Sequence, residues 1–279
     1  MVAGADSTYL ALTPAIMVEF KLVDAIPETE EVLLETMRLT GGQLPLGRLH
    51  LDRLGRGLNL LSVGLTATWQ TEALAVMQEF CKALPEPSGK LRMLARYLAP
   101  NQVEIALEYD PLPPPHSGLK LGSYPSPILP STQQVAKWAG TPYYYEVRQA
   151  AQQMGWEDVL LYDIQQALAE TGIGNLFFLI ENTWYTPPLA TGCLQGVFRE
   201  YLLKAGLIQV CAERDTDLAR IQALSRGNAL RGLEPIQQMV DLDGRTHTFP
   251  TDSARIFGEQ ANHVFTAESA YSIRLVPTP

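Results

Sequence analysis

Apolar and polar positions change period several times along the chain, and each change marks a predicted element. Val32 to Leu39 (VLLETMRL) reads as a strand, stopped by the Gly41-Gly42 turn. From Gly47 to Val63 apolar residues return at Leu51, Leu54, Leu58 and Leu61, the spacing of one helix face. Ala73 to Leu84 repeats that helical period, and Lys90 to Tyr97 with Gln102 to Tyr109 reads as a pair of strands. Strand, helix, helix, strand, strand in that order predicts a small α/β sandwich.

The pattern then breaks at Asp110 to Ser117, DPLPPPHS, whose four prolines cannot sit in a regular element. A second Pro-rich run from Ser123 to Ser131 prolongs the interruption. This places a connector at about 110–131, between a small α/β domain over 1–115 and a larger domain over 116–279. In the larger part, Tyr144 to Met154 reads as a helix ended by Gly155. Strands follow at Asp158 to Tyr162, Asn175 to Ile180 and Thr183 to Thr186, the last two joined by a turn at Glu181-Asn182. Pro187-Pro188 stops the third strand, and Gly196 leads into a helix from Val197 to Ala205. Strands at hairpin spacing followed by helices predict a mixed sheet or barrel.

Composition narrows the partners. Across 279 residues, 46% hydrophobic against 18% charged is enough for a sizeable core. A net charge of -9 without a basic stripe argues against nucleic acid. Cys81, Cys193 and Cys211 show no CxxC spacing, and four scattered histidines suggest no metal cluster, as in a reducing compartment. The apolar run Tyr9 to Val18 is broken by Pro14 and lacks a basic lead, so it reads poorly as a signal peptide. No stretch approaches the ~20 apolar residues of a membrane span, and the expected location is cytoplasmic.

Five strings carry a resemblance. HLDRL (His50 to Leu54), DVLLYD (158–163), AETGIGNLFF (Ala169 to Phe178), WYTPPLATGCLQGVFRE (Trp184 to Glu200) and GNALRGLEP (Gly227 to Pro235) stand in one order and spacing. In that order they resemble the class IV aminotransferase family, the fold-type IV pyridoxal-phosphate enzymes. Its members include branched-chain and D-amino-acid aminotransferases and 4-amino-4-deoxychorismate lyases. The resemblance implies a two-domain α/β fold, a small α/β sandwich beside a larger mixed-sheet pseudobarrel, and a homodimer. It also implies pyridoxal 5'-phosphate as cofactor and a small-molecule amino substrate.

Carried over residue by residue, the resemblance makes Lys137, one of six lysines, the Schiff-base carrier. Such a lysine also shuttles protons at the substrate carbon. Glu170 would face the pyridine nitrogen and keep it protonated. Arg53 would grip the phosphate with its guanidinium, and the Gly196 and Val197 amides would join it at a helix start. Asn228 and Ala229 belong to a loop that approaches the phosphate in the family. After Lys137 the chain reads Trp138-Ala139-Gly140-Thr141, where the lyases usually carry an NRL-like string.

Two features of the resemblance favour the lyase. Thr36 in LLETMRL stands where those lyases carry a threonine that helps deliver a proton during pyruvate release. NALRG is also nearer to the lyases' NSLRG than to the GTAAE type of branched-chain transaminases. Lys137 would then remove the C4 proton of 4-amino-4-deoxychorismate, and 4-aminobenzoate and pyruvate would leave. That substrate is a dicarboxylate, so an arginine should face it. Strand alternation puts Arg92 and Arg96 on one face, and Thr36 with Arg38 on one face. Tyr143, Tyr144 and Tyr145 form a cluster suited to ring stacking or the cofactor hydroxyl, but three consecutive aromatics more often serve core and domain contact, and they are left out of the site. The alternatives are an aminotransferase of the same class and a catalytically silent homologue.

Overall fold

Alternating burial organises the first half into a sheet with helices on one face. The computed structural model describes residues 19–84, 86, 88–99, 102–211, 218–266 and 269–276, so the run Tyr9 to Val18 lies outside the described residues. The elements are β1 (Glu19–Leu22), β2 (Leu33–Leu39), β3 (Gln43–Leu44), α1 (Gly47–Leu60), α2 (Trp69–Lys82), β4 (Gly89–Leu98) and β5 (Gln102–Asp110). The sheet order is β1-β5-β4-β2, with β1 parallel to β5 and the other pairs antiparallel. Leu33, Met37, Leu91, Met93 and Ile105 point to one face and pack with Leu51, Leu54 and Leu58 of α1 and Met77 of α2. Burying such side chains stabilises by about 1.5–3 kcal/mol each, which is what pins both helices to the sheet. The order predicted from periodicity is the one observed. β1 was not predicted, because EFKL lies largely exposed at the sheet edge and carries no alternation.

The second half closes on itself. It comprises β6 (Leu119–Ser123), α3 (Pro142–Gln153), β7 (Asp158–Tyr162), β8 (Leu168–Thr171), β9 (Asn175–Ile180) and β10 (Thr183–Thr186). These are followed by α4 (Val197–Lys204), β11 (Gln209–Val210), β12 (Ala223–Asn228), β13 (Gly232–Val240), β14 (Thr246–Thr248), α5 (Asp252–Ala261) and β15 (Ile273–Arg274). Strands run β9-β12-β13-β6-β7-β8, and the Glu170↔Asn175 pairing joins β8 back to β9, so six strands form a closed ring without a free edge. Leu121, Leu160, Leu176, Phe178, Leu224 and Ile236 fill it. Arg226 is buried among them and bonds Asp158 Oδ2 at 2.8 Å and Glu234 Oε2 at 3.0 Å, drawing β12, β7 and β13 together. Glu181 and Asn182 both adopt positive φ, as the two-residue hairpin turn between β9 and β10 requires.

Two departures from the predicted layout bear on the site. Within the stretch expected to be connector, LKLGS forms β6 and lies between β13 and β7, with the prolines flanking rather than entering its ladder. The chain end also returns to the first half, where β15 pairs with β3 and Leu275 is buried in the core beneath α1. No helix of the described residues is long and apolar enough to cross a membrane.

Candidate active site

A strap over 132–139 ties β2, α1 and the 189–196 loop to one another. Ser131 caps its 3-10 turn, Thr132–Val135, by accepting from the Gln133 amide at 3.1 Å, while Gln134 accepts from the Ser131 amide. Beyond the turn the backbone runs along the open edge of β2. The Leu34 amide donates to the Lys137 carbonyl at 2.8 Å, and the Ala139 amide donates to the Val32 carbonyl at 2.8 Å. Gly140 then passes so close to Thr29 that an added Cβ would lie 2.5 Å from its carbonyl carbon. Arg56 of α1 donates to the Val135 carbonyl, and Gln134 meets both Leu189 and the Gln195 amide. One strap is thereby fastened to β2, to α1 and to the 189–196 loop.

Lys137 is half-buried, and its Nζ reaches Thr36 Oγ1 at 3.5 Å. Loss of water lowers its ammonium from 10.5 to about 8, and the Arg53 guanidinium adds to the effect while Glu35 opposes it. An amine that deprotonates so near neutrality can act as a nucleophile.

Arg53 sits on the buried face of α1 and forks onto Glu35 of β2, with Nε to Oε1 at 2.8 Å and Nη2 to Oε2 at 2.6 Å. His50, one helical turn earlier, places Nδ1 2.6 Å from Glu35 Oε2. Burial by itself would raise the Glu35 carboxyl, but Arg53 and His50 override it and hold it at about 2. Burial also lowers the imidazolium of His50. Two of the three guanidinium nitrogens of Arg53 are thus committed to Glu35, leaving Nη1 outside that pair.

Glu170 lies on the outer wall of the barrel and is 3% exposed. The Tyr144 hydroxyl of α3 donates to its Oε1, and the Leu194 amide donates to Oε2 at 3.1 Å. Burial raises the carboxyl to about 7, with those two donors pulling the other way. Burial also drives the neighbouring Cys193 thiol up to about 12. A buried acid held by neutral donors, and paired with no cation among the described residues, suits a protonated ring nitrogen.

Gly196 caps α4 and donates to the Leu194 carbonyl at 2.8 Å. A Cβ there would lie 1.9 Å from Asn175 Oδ1, so only glycine lets α4 begin this close to β9. Val197 opens the helix, where backbone donors and the dipole favour an anion. Arg199 fastens the same helix to Thr186 Oγ1 at 3.2 Å and to the Pro187 carbonyl at 2.9 Å. Asn228 accepts from the Leu230 and Arg231 amides and donates to the Ile173 carbonyl, so its side chain organises the β12–β13 turn. Ala229 is buried in the apolar cluster that holds Val197 and Phe198.

The three arginines expected near the substrate differ in company. Arg92 pairs with Glu28 at 2.6 Å and Glu108 at 2.9 Å, and Arg96 pairs with Glu104 at 2.6 Å. Arg38 meets no carboxylate among the described residues; its guanidinium lies 4.8 Å from the Phe265 ring centre, and its Nε is buried without a partner. Sequence reasoning missed Glu35, His50 and Tyr144. Glu35 did leave a signal, since a charge flanked by Leu33 and Met37 on the core side of a strand demands a counter-ion. Among the described residues no group of three or more His, Cys, Asp or Glu could hold a metal. The near-neutral amine, the buried acid, Arg53 Nη1 and the α4 start together suit the aldehyde, ring nitrogen and phosphate of pyridoxal phosphate.

The sequence matches the family model for amino-transferase class IV over residues 32–239. A protein of Schizosaccharomyces pombe (strain 972 / ATCC 24843) named "Putative aminodeoxychorismate lyase" is 33% identical over 111 residues, 39% of this chain and 47% of that protein. The match therefore spans about half the length of that curated relative. Among solved structures, the branched-chain amino acid aminotransferase of Escherichia coli superposes with a TM-score of 0.74 at 14% identity, covering 88% of this chain and 90% of that one. The 4-amino-4-deoxychorismate lyase of Pseudomonas aeruginosa gives 0.68 at 22% identity, covering 84% and 91%. At these identities the likeness is one of fold.

Proposed function

The chain belongs to the amino-transferase class IV family, and on that premise we propose that it is a pyridoxal-phosphate lyase converting 4-amino-4-deoxychorismate to 4-aminobenzoate and pyruvate. The carrying observation is the Thr36 hydroxyl 3.5 Å from the Lys137 amine. A lysine alone can move a proton beside the substrate nitrogen, as transamination requires. Pyruvate release needs a further proton on the methylene carbon of the departing enolpyruvyl group, and a hydroxyl against the lysine can relay it.

Bound at this site, pyridoxal phosphate supplies an electron sink next to the substrate nitrogen. Arg53 Nη1 and the opening amides of α4 would hold its phosphate. Glu170 would keep a proton on its ring nitrogen, and Lys137 is the amine that would hold its aldehyde carbon. Lys137 then accepts the C4 proton, the ether C–O bond breaks, and Thr36 passes a proton to the enolpyruvyl carbon. Aromatisation of the ring drives release.

The test is to load the purified protein with pyridoxal phosphate, add 4-amino-4-deoxychorismate and assay both products. Stoichiometric release, falling about a hundredfold in kcat for Thr36→Val, supports the lyase. A cofactor band without release, but with conversion of D-alanine or a branched-chain amino acid with 2-oxoglutarate, would make the protein an aminotransferase. The absence of any cofactor band would leave the silent homologue.

A further inference from the structure

Glu170 is reached by groups from four elements. Tyr144 and Tyr143 face it from α3, Asp158 from β7, Cys193 and the Leu194 amide from the 189–196 loop, and Arg199 from α4. Among the described residues, two donate hydrogen bonds to its carboxylate: the Tyr144 hydroxyl to Oε1 and the Leu194 amide to Oε2. The amide is fixed by its loop, since the Leu194 carbonyl is taken by both Asn175 Nδ2 and the Gly196 amide. The Tyr144 ring is fixed as well. It packs edge-on against Tyr143 at 5.6 Å, and Tyr143 packs edge-on against Tyr124 at 5.8 Å and donates to the Ser126 carbonyl at 2.9 Å. The tyrosine row that the sequence reading sets aside as core and domain contact therefore ends in a hydroxyl aimed at the acid.

We infer that Tyr144 is a positioning residue: through its hydroxyl it holds Glu170 and sets the angle at which the carboxylate's remaining lone pairs meet the ring nitrogen of pyridoxal phosphate. This rests on the cofactor reading above, but not on whether the reaction is elimination or transamination. Each carboxylate oxygen has room for a second bond, so one donor per oxygen orients the group and leaves its outward lone pairs free. With the tyrosine donor removed, only the Leu194 amide restrains the carboxylate, which can then rotate about its last bond. Removing that donor also withdraws a bond that favours the charged acid, so the carboxyl should hold its proton to higher pH.

The experiment compares the parent with Tyr144→Phe in two readouts. The first is the affinity of cofactor-free protein for pyridoxal phosphate, titrated by the visible band. The second is the titration of the Glu170 carboxyl in cofactor-free protein by carbon NMR, its signal assigned by loss in Glu170→Gln. The affinity should fall about tenfold, the scale of one hydrogen bond to a charged group, and the titration should move upward from about 7. Tyr143→Phe keeps the ring that packs on Tyr144 and loses the bond to Ser126, so it should move both readouts far less than Tyr144→Phe. In a Glu170→Gln background Tyr144→Phe should add nothing, because the tyrosine acts through the acid. Parental affinity and titration in Tyr144→Phe would overturn the assignment while leaving the cofactor reading intact. A parent that binds no pyridoxal phosphate would overturn both. If Tyr144→Phe fails to fold, 3-fluorotyrosine at position 144 offers a stronger donor of nearly the same size; it must move the titration downward, and an unmoved titration overturns the inference.

Discussion

Replacing Glu35 by Gln is the sharpest probe of how the first half holds Arg53, the arginine proposed to grip the phosphate. Glu35 is 2% exposed and receives both arms of Arg53, with His50 beside it. Its carboxyl falls from 4.5 to about 2 in the fold. At 1.36 kcal/mol per unit, that shift corresponds to about 3 kcal/mol of stability. Removing one partner of a buried ion pair costs about 3–5 kcal/mol by a separate route, because Arg53 is left 4% exposed and uncompensated. The sign is set by a folded value below the unfolded one. The contribution is therefore complete above about pH 4.5 and is lost as pH falls towards 2. Urea unfolding followed by circular dichroism should show Glu35→Gln less stable by about 3 kcal/mol at pH 7, with the two proteins converging towards pH 3. An unchanged midpoint at pH 7, or a difference that persists undiminished at pH 3, would refute the reasoning.

Two further outcomes follow from the same physics. Arg226→Met strands Asp158 and Glu234 inside the barrel, so calorimetry should record a loss of about 3–5 kcal/mol and a Tm lower by roughly 10 °C; adding Glu234→Gln should recover part of it, and a single variant that melts with the parent would contradict the network. The Lys137 amine, lowered to about 8, should react with acetic anhydride in cofactor-free protein with an inflection near pH 8, well below an ordinary lysine; labelling that rises only above pH 10 would show the amine to be unperturbed.

How much was legible in the chain depends on how local the information is. The α1 and α2 faces, the β4–β5 pair and the β9–β10 hairpin follow from apolar spacing and from Glu181-Asn182, because each involves neighbours in sequence. β6 escaped because its prolines sit at both ends of a five-residue strand, and a short run between breakers looks like more connector. β8 escaped for a different reason: its four residues, LAET, are all buried, so no alternation marks them. Glu170 and Arg53 were named as candidates from ordered strings and Lys137 from its place among them, while Glu35, His50 and Tyr144, which meet Arg53 and Glu170, were not.

The sequence by itself determined the periods of the elements, the glycine where α4 must start against β9, and the acid set among core residues of β2. Tertiary structure decided which of these groups meet. Backbone pairing of the 132–139 strap with β2 brings Lys137 to Thr36, residues separated by the whole of the first sheet. Glu35 holds at about 2 and Glu170 at about 7 because one is met by a guanidinium and the other by neutral donors. Two carboxylates of the same residue type, each buried, were driven to opposite sides of their ordinary value by partners distant in sequence. No local pattern encodes that difference, since a pKa is set by the dielectric and the charges within a few ångströms, and those are assembled only when the sheets and the barrel close.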